Sequence, residues 1–202
     1  MGIHELGART RRLMAHEGRW MTSLGLWVAR RTDGVGAGDV PVGYARAQAP
    51  TAYGLIFVFV VETVGVSFML AAYPVAHLIM LLLDLYTVCL VTGLHAAAVT
   101  RPHVVGPHGL RVRRGAALDL WIPMDKVASA RHDLRFPDAN RPQDGVLELA
   151  VASQTSITVE LLQPVIAVSL LGTRTEVHTV RCHADDPRAA VTAINSFLRI
   201  NS

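Results

Sequence analysis

Residues 52–97 read AYGLIFVFVVETVGVSFMLAAYPVAHLIMLLLDLYTVCLVTGLHAA, and the fold turns on how this stretch is read. Only Glu62 and Asp84 carry formal charge in it, and Pro74 divides it into two apolar runs, 52–73 and 75–97. Each run is more than twenty residues long. At about 1.5 Å per helical residue each reaches about 30 Å, the thickness of a bilayer's hydrocarbon. A buried strand would need only about four to eight residues, and a core helix of a soluble domain would show polar positions at every turn. The stretch therefore predicts a transmembrane helical hairpin. A secretory signal is a poor fit, because a second span follows with no small-residue cleavage site between them.

The rest of the composition fits that division. The chain has 202 residues, 51% hydrophobic and 17% charged, so the apolar excess is concentrated in the hairpin. Cys89 and Cys182 offer neither a disulfide framework nor a zinc-ligand spacing. Arg30, Arg31 and Arg46 precede the first span, and Arg101, Arg111, Arg113 and Arg114 follow the second, while the turn at Tyr73-Pro74 is uncharged. Basic flanks stay in the cytoplasm, which predicts a multi-pass protein of the cell membrane with both termini cytoplasmic. The net charge of +3 and the arginine clusters point to anionic lipid head groups rather than nucleic acid, since no basic stripe is interleaved with exposed aromatics.

The chain divides into an amphipathic interfacial helix over 1–31, a linker over 32–51, the hairpin over 52–97 and a domain over 98–202. In the first segment Leu13, Met14, Trp20, Met21, Leu24, Trp27 and Val28 share an arc of roughly 140° at 100° per residue. Arg12, Arg19 and Arg30 line one edge of it, and Glu17 intrudes on the apolar side. An apolar face with tryptophans and an arginine border suits a helix lying on an anionic leaflet. The other arrangement open to it is packing on the protein's own domain. The glycines of 32–50 lack the G-x-G-x-x-G spacing and follow no strand, so a flexible linker is expected there.

After Arg101 the period changes to alternation. Apolar runs at 110–112, 118–122, 127–134, 146–152, 157–162, 165–171 and 177–182 predict about seven antiparallel strands. Turn signals fall at Arg114-Gly115, Pro123, a polar loop over 137–145, Gln163-Pro164 and Gly172-Thr173. A final helix starts at Asp186-Pro187, an N-cap followed by proline at the first helical position, with Val191, Ile194, Phe197 and Leu198 on its apolar face.

HGLRVRRGAALDLWIPMDKVASARHDLRF and VHTVRCHADDPRAAVTAINSFL together resemble the bacterial pleckstrin-homology-like domain attached to paired transmembrane helices. The matching elements are Gly109–Val112, Ile122–Ser129 and Asp185–Pro187, and RPHVV at 101–105 is similar to the junction of actinobacterial members. The resemblance spans about 52–200. It implies a membrane hairpin joined to a mostly-β, α+β domain, with a curved seven-stranded sheet plugged by the C-terminal helix. It implies no activity, because such sheets host many unrelated ones.

Glu62 lies twelve residues before Pro74 and Asp84 ten after it, so the two acids share a depth to within about 3 Å. His77, Asp84 and His95 fall on one stripe of the second helix. A charge at mid-span costs about 3 kcal/mol, so such residues mark an assembly interface, a relay or metal site, or a protonated acid with a local partner. Two helices cannot enclose an ion path, which favours a homo-oligomer or a membrane-protein partner. His178 and Cys182 share one strand face while His183 takes the other, against a compact metal site. With no nucleophile elbow or catalytic-cysteine context, the expectation is a non-catalytic, membrane-tethered adaptor without cofactor or metal. The alternatives are a component of a proton or metal pathway using Glu62 and Asp84, and an anionic-lipid sensor. The lipid contacts expected are Arg12, Arg19, Trp20, Trp27, Arg30, Arg111, Arg113 and Arg114.

Overall fold

Two proline-started helices, joined by the short turn at 70–73, carry the most apolar stretch of the chain. A computed structural model describes residues 3–138 and 143–201. The first helix, α1 (Ile3–Val28), is followed by a short strand β1 (Val40–Val42) and then by α2 (Ala49–Met69) and α3 (Pro74–Thr100). Proline sits in the first turn of α2 and of α3, where its fixed φ and missing N–H cost nothing. Both helices are long and apolar enough to cross a membrane, with mean hydropathy 1.9 and 2.0. No residue of α2 is buried, and the buried residues of α3 begin only at Gly93.

Eight strands and a final helix make up the remainder: β2 (His103–Gly106), β3 (Gly109–Arg114), β4 (Leu118–Pro123), β5 (Val127–Arg135), β6 (Val146–Leu149), β7 (Thr155–Val168), β8 (Arg174–Cys182) and α4 (Pro187–Asn201), with β1 as the eighth strand. They form two four-stranded sheets, in the orders β1-β2-β3-β4 and β5-β7-β8-β6. The expected seven become eight for three reasons. Three-residue β1 and four-residue β2 are too short to show a period, so the first fell in the presumed linker and the second in the span-to-domain junction. The runs 157–162 and 165–171 belong largely to one strand, because Gln163-Pro164 sits in a bulge rather than a turn. The chain reverses instead beyond Ser169, whose N–H donates to Thr173 O. A further departure is β6, which runs parallel to β8 where an antiparallel arrangement was expected. Part of the polar loop expected over 137–145 (139–142) lies outside the described residues.

The core sits between the sheets. Val105, Val112 and Ile122 from the first meet Ile157, Val159, Val177 and Val180 from the second, and Ala190 and Ile194 of α4 close one end. Each buried branched side chain contributes about 1.5–3 kcal/mol. The start of α4 is as the sequence predicts: Asp186 Oδ1 accepts the Ala189 N–H at 3.0 Å. Because β1 precedes the hairpin, β2 follows it and the two are hydrogen-bonded neighbours, both flanks of the hairpin lie on the same side of it.

Candidate functional site at the base of the hairpin

The inner end of α3 is where every part of the molecule meets. Gly93 and Ala97 leave a notch into which Trp20 of α1 inserts, against Ala116 of the β3–β4 turn. Any Cβ at Gly93 would collide with the indole ring, so the notch requires glycine. Trp20 is 4% exposed. Its expected lipid contact is therefore corrected: the apolar arc of α1 contributes this tryptophan to the protein's own interior. Further contacts fasten the same helix. Tyr86 donates to Glu17 Oε1 at 2.9 Å, which gives the intrusive acid of the helical wheel its partner. Trp27 packs edge-on against His95, which also meets Tyr53 of α2 at 4.9 Å between ring centroids. His95 thus sits in a junction of three helices, buried, and its Nδ1 has no partner among the described residues.

Beyond Thr100 lies an ion-pair cluster. Arg101 Nη2 is 3.0 Å from Asp33, Arg111 binds both oxygens of Asp119 at 2.7 Å, and Arg113 Nε lies 3.5 Å from Asp119 without an aligned hydrogen bond. Arg113 is 1% exposed, which corrects its expected role at the lipid surface. Its Nη1 donates to Asp33 O at 2.7 Å, and its Nη2, crowded against Gly34, has no hydrogen-bond partner among the described residues. Strand alternation would have turned this residue to solvent; the 33–34 turn covers that face instead. Burial alone would raise the Asp119 carboxyl, but the Arg111 bonds and the charges of Arg113, Arg111 and Arg101 hold it below the usual carboxylate range.

His103 ties this cluster to the sheets. The Arg113 N–H donates to its Nδ1 at 3.0 Å, so the ring proton is on Nε2, which donates to His183 O at 3.1 Å. Burial pushes the His103 pKa down to about 4. Tyr44 stacks on the imidazole at 4.6 Å and accepts the Gly115 N–H at 2.7 Å. Burial raises that phenol to about 12. Tyr44, Arg101, His103, Asp33 and Asp119 were not singled out as site residues. The usable signal was the pairing of two arginines on one strand face with an acid on the next strand.

The remaining expected residues scatter. Arg12 is half-buried against the Gly172 turn, Arg19 is half-buried, and Arg30 and Arg114 are exposed. In the hairpin Glu62 is exposed, whereas His77 and Asp84 are half-buried and Asp84 Oδ2 is shielded with no hydrogen-bond partner among the described residues. Because Tyr53 meets His95 across the helices, Glu62 and Asp84 lie at nearly one depth, as their spacing from Pro74 implies. No hydrogen bond joins them, and no group of three metal-ligating side chains occurs among the described residues. Cys182 is buried in the core, which pushes its thiol up to about 12, whereas His178, expected on the same strand face, is exposed beside the register shift that interrupts the β7–β8 pairing.

No protein-family description, curated protein or solved structure matches this chain.

Proposed function

We propose that this chain is a non-catalytic, membrane-tethered adaptor, built to hold a β-rich domain at the cytoplasmic face and to assemble through its hairpin. The observation that carries the reading is Glu62. It is an exposed carboxyl in the middle of a helix with no buried residue, and no partner for it occurs among the described residues. Facing lipid alone, such a group costs about 3 kcal/mol; a neighbouring helix with a polar group removes most of that cost. The rigid base supports the same reading, because a domain locked to α3 through Trp20 and the arginine cluster keeps one orientation toward a partner. Arginines on both flanks support the cytoplasmic side. The pleckstrin-homology-like resemblance is in keeping with a presenting domain.

The test is crosslinking in native membranes followed by native mass spectrometry of the full chain. Wild type is expected as a defined oligomer or complex, and Glu62→Gln with Asp84→Asn is expected to shift it toward monomer. Unchanged assembly in the double variant overturns the reading. A second reading, an intramembrane proton site, is favoured by the shielded and unpartnered Asp84 Oδ2. It requires a pH-dependent flux in proteoliposomes that Asp84→Asn abolishes.

A further inference from the structure

A cavity of about 620 Å³ opens at the base of the hairpin, on the side of α3 that faces β6. Its walls come from several parts of the chain: His16 of α1, Tyr44 and Gln48 before α2, Leu94 of α3, Arg114 at the end of β3 and Glu148 of β6. A second cavity of about 330 Å³ runs along the groove between α2 and α3, lined by Leu55, Val91 and His95 among others. Gln48 and Leu94 line both, so the two cavities adjoin at these side chains. Together they make a space whose larger part has mixed polar and apolar walls and whose smaller part extends about two helical turns down the apolar groove, to Leu55.

We infer that this space holds one anionic phospholipid, with its phosphate-bearing head group beside Arg114 and Tyr44 and an acyl chain in the α2–α3 groove. The chemistry of the walls selects the head group. Arg114 makes no ion pair among the described residues, so its guanidinium is available. The Tyr44 hydroxyl accepts the Gly115 N–H, which leaves its own proton for an incoming oxygen. Glu148 is the one carboxylate among the described lining residues, and it is held by Arg181 at 2.9 Å. A choline head group would therefore find no free anion there. The apolar neck fits a chain and not a hydrated ion, and it opens along helices already long enough to span a bilayer.

The inference rests on the hairpin lying in a membrane but not on the assembly proposed above. It is tested by native mass spectrometry of the full chain exchanged against vesicles of phosphatidylglycerol or phosphatidylcholine. Wild type is expected to retain one phosphatidylglycerol in preference to phosphatidylcholine. Arg114→Gln, at an exposed strand end, is expected to cut that preference about tenfold, the value of one charge-assisted hydrogen bond. Leu94→Trp, which fills the neck, is expected to abolish retention of either lipid. Equal retention of both lipids by wild type, or a preference untouched by Arg114→Gln, overturns the inference. So does displacement of the lipid by glycerol phosphate at equal concentration, which would assign the larger cavity to a soluble phosphate compound. Glu62→Gln run alongside separates the two proposals, because lost assembly with lipid retained reports on the hairpin surface alone.

Discussion

α3 is one helix that meets two different demands. From Pro74 to Thr92 none of its side chains is buried, and it reads LIMLLLDLY through the middle. From Gly93 to Thr100 it reads GLHAAAVT, and all but Leu94 and Val99 are buried. The outer part presents large apolar side chains outward, over a length that would cross a bilayer. The inner part uses small residues so that Trp20, Ala116 and Tyr44's neighbourhood can approach its backbone. Its hydroxyls do not follow that division, since Thr87, Thr92 and Thr100 all donate to the helix's own backbone. In the inner part Thr100 donates to Ala96 O, and just beyond it His103 and Arg101 have named partners, while Asp84 Oδ2 in the outer part has none among the described residues. A helix within a protein is held by shape complementarity, and a helix facing lipid is held by composition alone.

The contrast can be broken most directly at Trp20. Trp20→Ala empties the notch at Gly93 and is expected to cost about 4 kcal/mol, releasing α1 to protease while the β-domain stays folded. Limited proteolysis in detergent reads it. If α1 remains protected, the inner end of α3 is not the anchor described here. Next in size is a pH effect. An unfolded His103 titrates near 6.5 and the folded one near 4. Above pH 6.5 both are neutral; as pH falls from 6.5 to 4 only the unfolded chain takes up the proton, so stability is lost across that window. The loss approaches about 3 kcal/mol at the lower end, and His103→Gln is expected to flatten it in thermal unfolding between pH 7 and 4. The smallest expected effect is Asp119→Asn, which leaves Arg113 with less compensation. About 2 kcal/mol is expected, less than for a fully enclosed pair, because Asp119 is partly exposed. A denaturant titration checks it, and Glu62→Gln in the same titration is expected to leave the domain's stability unchanged.

How much of this was legible in the sequence follows from the same physics. The hairpin was readable because lipid imposes a length and a composition that need no partner. The start of α4 was readable because Asp186 and Pro187 act within one turn. Trp20 was not, because the apolar arc of α1 satisfies a leaflet and a protein groove equally well, and only the distant glycine at 93 decides between them. Arg113 was misplaced because alternation predicts an outward side chain, and what covers it is Asp33-Gly34, about eighty residues earlier. β1 escaped because three residues carry no period, although its pairing with β2 completes the first sheet.

That pairing has a consequence for how the chain is made. The domain is interrupted in sequence by two helices long and apolar enough to cross a membrane: its first strand and Tyr44 are synthesised before them, and all its other strands after them. If the two helices cross a bilayer, a newly made chain can close the edge of β2 only after both have been inserted and the chain has returned to the side it left. A hairpin inserted only halfway would leave β1 on the far side of the bilayer and β2 with an unpaired backbone edge, the kind of surface that aggregates or is recognised as unfinished. For a membrane-inserted hairpin, completion of the first sheet would thus report that insertion has succeeded.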